Sequence, residues 1–254
     1  MSNMLILKPL TATVADFNGN LSGVANVLTF DPKEAMIHPA NVGAAVLDFD
    51  LGSPQLIDCF YIGYHGYNGQ SLTITGGAAA YNTTTHLVDT PNWPAPSPVQ
   101  FPLRRHAFIR LAAPVINRFV RLQFSGAAVR SHIGVVAIGL AFRPFYNREW
   151  GSGRQPIDTG SRETLRGGGF GIGEGARKAA FRWTFGDLDT AEVDALYNLS
   201  LEVGETRPII VAEDPDFTVG LNERLHYGLF DRFEEYSRQD TTKTRWSMGI
   251  TQWV

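Results

Sequence analysis

The stretch from Tyr64 to Gly69, with the sequence YHGYNG, is the part of the chain best suited to bind a ligand. It offers two aromatic rings, an imidazole and an amide, and its Asn-Gly pair is a turn signal that predicts a loop tip. Rings can cover the apolar face of a sugar while amides bind its hydroxyls. Trp93 could supply a further exposed ring. The candidate carbohydrate-binding residues are therefore Tyr64, His65, Tyr67, Asn68 and Trp93. The alternative is that these aromatics plug the open ends of a β-sandwich.

Three aspartates are the main candidates for catalysis. Asp48 and Asp50 share one face of a predicted strand, and Asp58 follows beyond a turn. Two carboxylates on one face could bind calcium or act as an acid–base pair, but a solvated strand end explains them as well. The sequence has no G-x-S-x-G, H-x-x-x-H or C-x-x-C pattern for nucleophilic or zinc chemistry. We therefore expect no catalytic site, no metal and no cofactor, so that the chain is not an enzyme.

The glycine-rich segment from Gly171 to Ala176 fits a loose G-x-G-x-x-A phosphate motif. Such a loop requires a strand before it and a helix N-terminus after it. A strand pattern around Phe181 follows instead, so a flexible glycine arm is the better interpretation.

Composition narrows the class further. The net charge of −3 gives no general attraction to nucleic acid or to anionic membranes. We expect no signal peptide and no membrane span, because no apolar run approaches about 18 residues. The single cysteine, Cys59, lies in an apolar run and is predicted to be buried. Without an internal disulfide, the chain can fold in a reducing cytoplasm.

Residues 1–142 are predicted to form a β-sandwich of the jelly-roll type. No helical period is sustained there, and turn signals separate the predicted strands. Residues 57–64 are nearly all apolar, which is typical of a strand buried on both faces. The other predicted strands are 44–51, 71–75, 119–124 and 134–142.

Residues 143–176 show no period and few apolar anchors. A long structureless stretch is improbable inside one compact domain, so we predict an arm or linker between two domains. Basic residues outnumber acidic ones in it, and its large apolar residues are spaced like anchors for a neighbouring subunit. The residues predicted to lie between subunits are Trp150, Arg154, Arg162, Arg166 and Phe170.

Residues 177–254 are predicted to form a second β domain with one helix over 190–203. Asp189 is a suitable N-cap with Glu192 as its capping-box partner, and Gly204 ends the helix. The order of elements is strand, helix, strand, strand, strand. The helical stripe expected to be buried consists of Val193, Leu196, Tyr197 and Leu201, with Ser200 between them.

Residues 20–142 resemble the discoidin-like, galactose-binding-type jelly roll. The segments that carry the resemblance are Val46–Ser53 (VLDFDLGS), Ile57–Ile62 (IDCFYI) and Arg118–Leu122 (RFVRL), with residues 133–139 similar to the closing strand. The paired cysteines usual in that family are missing, which fits a version assembled in the cytoplasm. The resemblance implies a domain that contacts glycans.

Residues 176–254 resemble the tail-tube-type fold of bacteriophage tails, including distal tail proteins. The segments that carry the resemblance are Ala180–Phe185, the acidic-capped helix, Gly204–Pro208 and Trp246–Trp253. The resemblance implies a ring, hexameric in that family, around the axis of the tail. It also implies tail-tube and hub proteins as partners, and a place in the virion tail after synthesis in the host cytoplasm.

Together these patterns predict a mainly β protein. An N-terminal β-sandwich is followed by a C-terminal tail-tube-like β-sandwich or barrel with one α-helix. The functional hypothesis is a structural component of a phage or phage-like tail tip that forms a ring at the distal end of the tail tube, with an N-terminal domain that contacts host-surface glycan. The alternative is a stand-alone carbohydrate-binding protein. A ring in solution favours the first, and a glycan-binding monomer favours the second.

Overall fold

The structure is a computed structural model that describes residues 3–67, 71–78, 85–90, 105–125, 130–216, 220–231 and 233–253. Two compact units divide the chain. Unit 1 comprises Met1–Arg143 and Ala212–Leu225, and unit 2 comprises Pro144–Val211 and His226–Val254. The described residues form strands almost throughout, with a single α-helix, so the predicted mainly β class is confirmed. That helix is too short to cross a membrane, and the described part of the chain holds no other candidate.

The strands of unit 1 surround one apolar core. Its elements are β1 (Leu5–Leu7), β2 (Thr13–Asp16), a 3-10 helix (Val24–Leu28), β3 (Met36–His38), β4 (Ala45–Gly63), β5 (Leu72–Gly77), β6 (Thr85–Thr90), β7 (His106–Phe124), β8 (Ser131–Ile133), β9 (Val135–Gly139), β10 (Ala141–Phe142) and a second 3-10 helix (Asn222–Arg224). The main sheet has the order β2-β4-β7-β5-β6, and β9 pairs with β4. The smaller pairs are β3 with β8 and β1 with β10.

The long antiparallel strands β4 and β7 are the centre of this unit. The two strands predicted at 44–51 and 57–64 are one strand, β4, whose pairing with β7 shifts between Asp50 and Gln55. Gly52 lies at the shift with a φ of 77°, a conformation that favours glycine. Apolar side chains from β3, β4, β5, β7, β8 and β9 then fill a single core. Cys59 is fully buried, as predicted.

Unit 2 is a second antiparallel sheet with one helix. Its elements are β11 (Gly153–Asp158), β12 (Ser161–Thr164), β13 (Phe170–Gly173), β14 (Arg177–Leu188), α1 (Thr190–Val203), β15 (Ile209–Ala212), β16 (Leu225–Phe230), β17 (Ser237–Arg238) and β18 (Thr244–Gln252). The strand order is β15-β16-β18-β14-β11, and β17 also pairs with β18. Its buried face is aromatic: Phe181, Trp183 and Phe185 alternate along β14, and Trp246 lies opposite Phe185 on β18.

Helix α1 has the predicted bounds, but it buries a different face. The capping box is present, because Asp189 accepts from the Glu192 amide and the Glu192 side chain accepts from the Asp189 amide. The buried residues are Val193, Leu196, Ser200 and Val203. Tyr197 and Leu201, expected in the buried stripe, are 47% and 66% exposed. The expectation is wrong for these two residues, because the buried stripe continues through Ser200 and Val203 instead.

The segment 143–176 is not the structureless arm that the sequence suggested. Residues 153–158 form β11, which pairs with β14 over six residue positions. Strands β12 and β13 then form a separate two-stranded hairpin. From Pro144 onward the segment therefore belongs to unit 2, with β11 inside its sheet and the β12–β13 hairpin outside it. The glycine motif over 171–176 falls mainly in β13, which has no helix after it.

Residues 212–225 also differ from the expected division, since they belong to unit 1. Two contacts hold this segment to β7. The Asn222 side chain accepts a hydrogen bond from the His106 amide at 2.7 Å, and Asp216 forms an ion pair with Arg110 at 3.4 Å.

Candidate functional site

The predicted ligand loop is mostly part of the core. Tyr64, His65 and Tyr67 are 7%, 2% and 1% exposed. The Tyr67 ring stacks on Phe124 with centroids 4.7 Å apart, and the Tyr64 ring meets His106 edge-on at 4.9 Å. Exposure of these three side chains was required for sugar binding, so that part of the prediction is wrong. Asn68 and Trp93 lie outside the described residues, and their role stays a prediction.

Hydrogen bonds to histidine explain why such polar aromatics tolerate burial. The Tyr67 hydroxyl lies 2.9 Å from His38 Nδ1, and the Tyr61 hydroxyl lies 2.9 Å from His106 Nδ1. Burial, with Arg105 nearby, lowers the pKa of His65 to about 3, which keeps its imidazole neutral. Burial likewise raises the pKa of Tyr67 far above its usual range. These groups act as neutral packing residues.

The candidate catalytic aspartates are all bound by arginines. Asp48 accepts two hydrogen bonds from Arg121 at 2.6 and 2.8 Å, and Asp50 accepts two from Arg118 at 2.8 and 2.9 Å. The Arg118 hydrogen bond is the main reason that the pKa of Asp50 lies below its usual range.

The nearly buried Asp58 accepts from the Ala141 amide at 2.9 Å and from Arg143 at 3.1 Å. Each of the three carboxylates is thus bound within the fold. Within the described ranges, no three histidine, cysteine or acidic side chains come close enough to hold a metal ion.

The residues predicted to lie between subunits are all exposed. The Trp150 side chain is fully exposed and Phe170 is 56% exposed, while Arg154, Arg162 and Arg166 are exposed as well. Sequence reasoning missed Phe145 and Tyr146, which are 75% and 51% exposed and pack edge-on against each other. The only signal for them was an aromatic pair after a proline at the start of unit 2. Large exposed apolar side chains are therefore concentrated in this part of unit 2.

The β12–β13 hairpin carries the most regular of these surfaces. Arg162 lies opposite Ile172, and Thr164 lies opposite Phe170, so Phe170 and Ile172 share one face. The Arg162 guanidinium lies 5.2 Å from the centre of the Phe170 ring. Ile172 and Leu165 are 75% and 53% exposed.

A close backbone approach fixes the base of the hairpin. The Thr159 amide donates to the Ala176 carbonyl at 3.0 Å, and the Ala176 amide donates to the Thr159 hydroxyl at 2.8 Å. A side chain at Gly175 would collide with the backbone of Thr159 and Gly160, so this position requires glycine. The arrangement presents two strands with a basic and apolar surface, and its chemistry suits binding rather than catalysis.

No protein-family model matches the chain, and no curated protein matches its sequence. Solved structures align with about half of its length. A structure described as "CpGH89CBM32-6 produced by Clostridium perfringens" is 18% identical, with 52% of this chain and 98% of that chain covered and a TM-score of 0.40. A "CBM32 of AlyQ in complex with 4,5-unsaturated mannuronic acid" is 17% identical, with coverages of 52% and 96% and a TM-score of 0.37.

A pectin-binding carbohydrate-binding module is also 17% identical, with coverages of 52% and 91% and a TM-score of 0.38. Likenesses of this size, with TM-scores of 0.40 or less, carry no argument about this chain. They carry no information about a ligand of this chain. The three structures do not bear on the tail-tube resemblance of residues 176–254.

Proposed function

We propose that this chain is a non-catalytic binding protein that assembles with copies of itself through unit 2 and presents unit 1 for contact with glycan. The observation that carries the assembly is the exposed β12–β13 hairpin, on which Leu165, Phe170 and Ile172 are each more than half exposed. These residues lie in a hairpin whose base is held by the hydrogen bonds between Thr159 and Ala176 described above.

The energetics of an isolated hairpin favour a partner. Two strands alone are marginally stable in water. Ordering each residue costs about 1–2 kcal/mol of backbone entropy. Full burial of a large apolar side chain stabilises a structure by about 1.5–3 kcal/mol. The exposed side chains of the hairpin can gain this stabilisation only by packing against another surface. Contiguous exposed apolar patches on a folded protein are typical of interaction sites.

The experiment is to excise the hairpin without touching the sheet. Residues 160–175 are replaced by Asn-Gly, a two-residue turn that joins Thr159 to Ala176, which are already hydrogen-bonded to each other. Strand β11, which a wider deletion would remove, stays in place. We expect size-exclusion chromatography with light scattering to show oligomers of the intact chain, whose single copy is 28.0 kDa, and a monomer of the shorter excised chain. Oligomers of equal stability in both proteins would refute the assembly role of the hairpin.

Glycan contact is the second part of the proposal. Its support is the β-sandwich fold of unit 1 and the pairing of two segments that carry the discoidin-like resemblance, Val46–Ser53 and Arg118–Leu122. Asp48 and Asp50 of the first segment form ion pairs with Arg121 and Arg118 of the second across β4 and β7. The solved structures of similar fold are named as carbohydrate-binding modules, and a stand-alone carbohydrate-binding protein therefore remains the competing hypothesis.

A glycan array of the whole chain tests this part. Trp93→Ala is the informative variant, since an indole can stack on a sugar face and Trp93 is a predicted contact. Phe30→Ala is the control, because Phe30 is an aromatic of unit 1 that is 47% exposed. We expect selective binding that Trp93→Ala weakens and Phe30→Ala does not. An array without any signal would leave only the assembly role.

The most specific part of the proposal is that the protein lies at the distal end of a phage or phage-like tail. Its support is the sequence resemblance of residues 176–254 together with the order of elements there, in which β14 is followed by α1 and then by β15, β16, the two-residue β17 and β18. A ring of copies, with tail-tube and hub proteins as neighbours, would then be the working form of the protein in the virion tail.

A further inference from the structure

A second exposed apolar surface in unit 2 is a groove of about 760 Å³ beside the C-terminal half of α1. We call it the α1 groove, and its lining consists of Tyr197, Ser200, Leu201, Gly204, Glu205, Phe233, Glu234, Glu235, Tyr236 and Trp246. Trp246 is buried and donates through Nε1 to the Glu234 carbonyl at 3.0 Å. The Tyr197 and Tyr236 rings have centroids 6.5 and 5.4 Å from that of Trp246. The groove is therefore aromatic, and its shape is fixed by ring contacts.

Charge and hydrogen-bonding capacity distinguish this groove from a plain apolar patch. Glu205, Glu234 and Glu235 line it and are exposed, and none of the lining residues that the structure describes is basic. The Ser200 hydroxyl also lines it, is buried and has no hydrogen-bond partner among the described residues. Buried hydroxyls are normally hydrogen-bonded, so this one suits a polar group brought in by an occupant.

We propose that the α1 groove receives the β12–β13 hairpin of a second copy of this chain. The inference rests on the self-assembly proposed above and names the surface that the hairpin contacts. The hairpin presents two apolar side chains, Phe170 and Ile172, on one face. It also presents a basic side chain, Arg162, which is the cross-strand partner of Ile172. Volumes of 300–1,000 Å³ are typical of pockets that enclose a ligand, so the groove has room for such side chains.

Opposite charges favour this pairing over other apolar occupants. Arg162 and Arg166 on the hairpin are exposed, as are Glu234 and Glu235 on the groove. Complementary charges set register and association rate more than affinity, so the contact is expected to be sensitive to salt. The hairpin and the groove are different surfaces of the same chain. Their pairing is heterologous, which is the type of contact that closes a ring when the rotation permits.

Cross-linking in trans tests the contact directly. Two variants that each add one cysteine, Ile172→Cys on the hairpin and Leu201→Cys on the groove, are mixed and treated with a short bismaleimide. The native Cys59 is buried and its thiol pKa is raised far above its usual range, so it should not react. We expect a covalent dimer at least tenfold above the yield from Ile172→Cys mixed with the control Ile116→Cys, an exposed position of unit 1.

Charge reversal provides a second test that does not depend on cysteine. Reversal of the hairpin (Arg162→Glu with Arg166→Glu) or of the groove (Glu234→Arg with Glu235→Arg) should each weaken assembly at least tenfold. The chain with all four changes, or an equal mixture of the two variants, should regain it. If a cysteine variant fails to assemble, the charge variants alone test the contact between the hairpin and the α1 groove.

The outcomes separate the two proposals. If the unchanged chain stays monomeric, self-assembly and this inference both fail. If the unchanged chain assembles, but the cross-link does not exceed its control and neither charge reversal weakens assembly, the hairpin binds elsewhere. In that case only this inference is overturned. A cross-link within one chain would run at monomer mass. The mixture excludes it, because each variant carries only one added cysteine and Cys59 is buried.

Discussion

Aromatic and histidine side chains in the loop after β4 stabilise unit 1 from within. Tyr67 illustrates the point, since its ring stacks on Phe124 and its hydroxyl pairs with His38. The sequence identified a cluster of polar aromatics but not whether it faces inward. The chain turns back over the core at Tyr64, which has a φ of 54°. Residues other than glycine rarely adopt this conformation, so the sequence gives no signal for the turn.

The burial of Tyr67 leads to a prediction about stability. Tyr67→Phe should lower the free energy of unfolding by about 1 kcal/mol, because His38 loses a buried partner. Tyr67→Ala should lower it by about 3–5 kcal/mol, since the ring leaves a cavity. Urea unfolding measures both, with exposed Phe30→Ala as the control. A Tyr67→Ala protein as stable as that control would show that the ring is at the surface after all.

The low pKa of His65 predicts an acid sensitivity. The folded state keeps His65 neutral down to about pH 3, while the unfolded chain binds a proton near pH 6.5. Stability from this group is therefore complete above about pH 6.5 and is lost as the pH falls. The loss is about 2 kcal/mol between pH 7 and pH 5. Urea unfolding at the two pH values should show a smaller loss for His65→Asn, and equal losses would contradict the assigned pKa.

At the scale of elements, local signals determined what the sequence could predict. Helix α1 was located because Asp189, Glu192 and Gly204 are capping residues that act within one turn. Strand β11 was missed because its evidence is not local. It contains a glycine and a proline, and most of its side chains are exposed, so no apolar alternation marks it. Its register is set by β14, about 25 residues away in the sequence.

The capping box gives a prediction for unit 2. Asp189→Ala should lower its stability by about 1 kcal/mol, because the Glu192 amide loses its acceptor. Asp194→Ala, an exposed change in the same helix, should alter it by less than about 0.5 kcal/mol. Thermal unfolding followed by circular dichroism compares the two. Equal shifts would mean that the cap does not contribute to the stability of the helix.

For the whole molecule, the two units differ in what they leave exposed. Unit 2 concentrates large apolar side chains on its hairpin, around Phe145 and Tyr146, and along the α1 groove. From Trp150, Phe170 and their basic neighbours, the sequence predicted an arm that contacts a neighbouring subunit. It could not predict the groove, because Tyr197 and Leu201 appeared to belong to the buried stripe of α1. Exposure of a helix face depends on which tertiary contacts form, and periodicity does not determine this.

Self-assembly into a ring can be checked by negative-stain electron microscopy of the purified chain at micromolar concentration. We expect closed rings of one size, because hairpin and groove form a heterologous contact that repeats around an axis. The rings should dissociate at high salt and should be absent from the hairpin-excised protein. Uniform particles of monomer size for the unchanged chain would contradict the account and leave a monomeric glycan-binding protein as the better explanation.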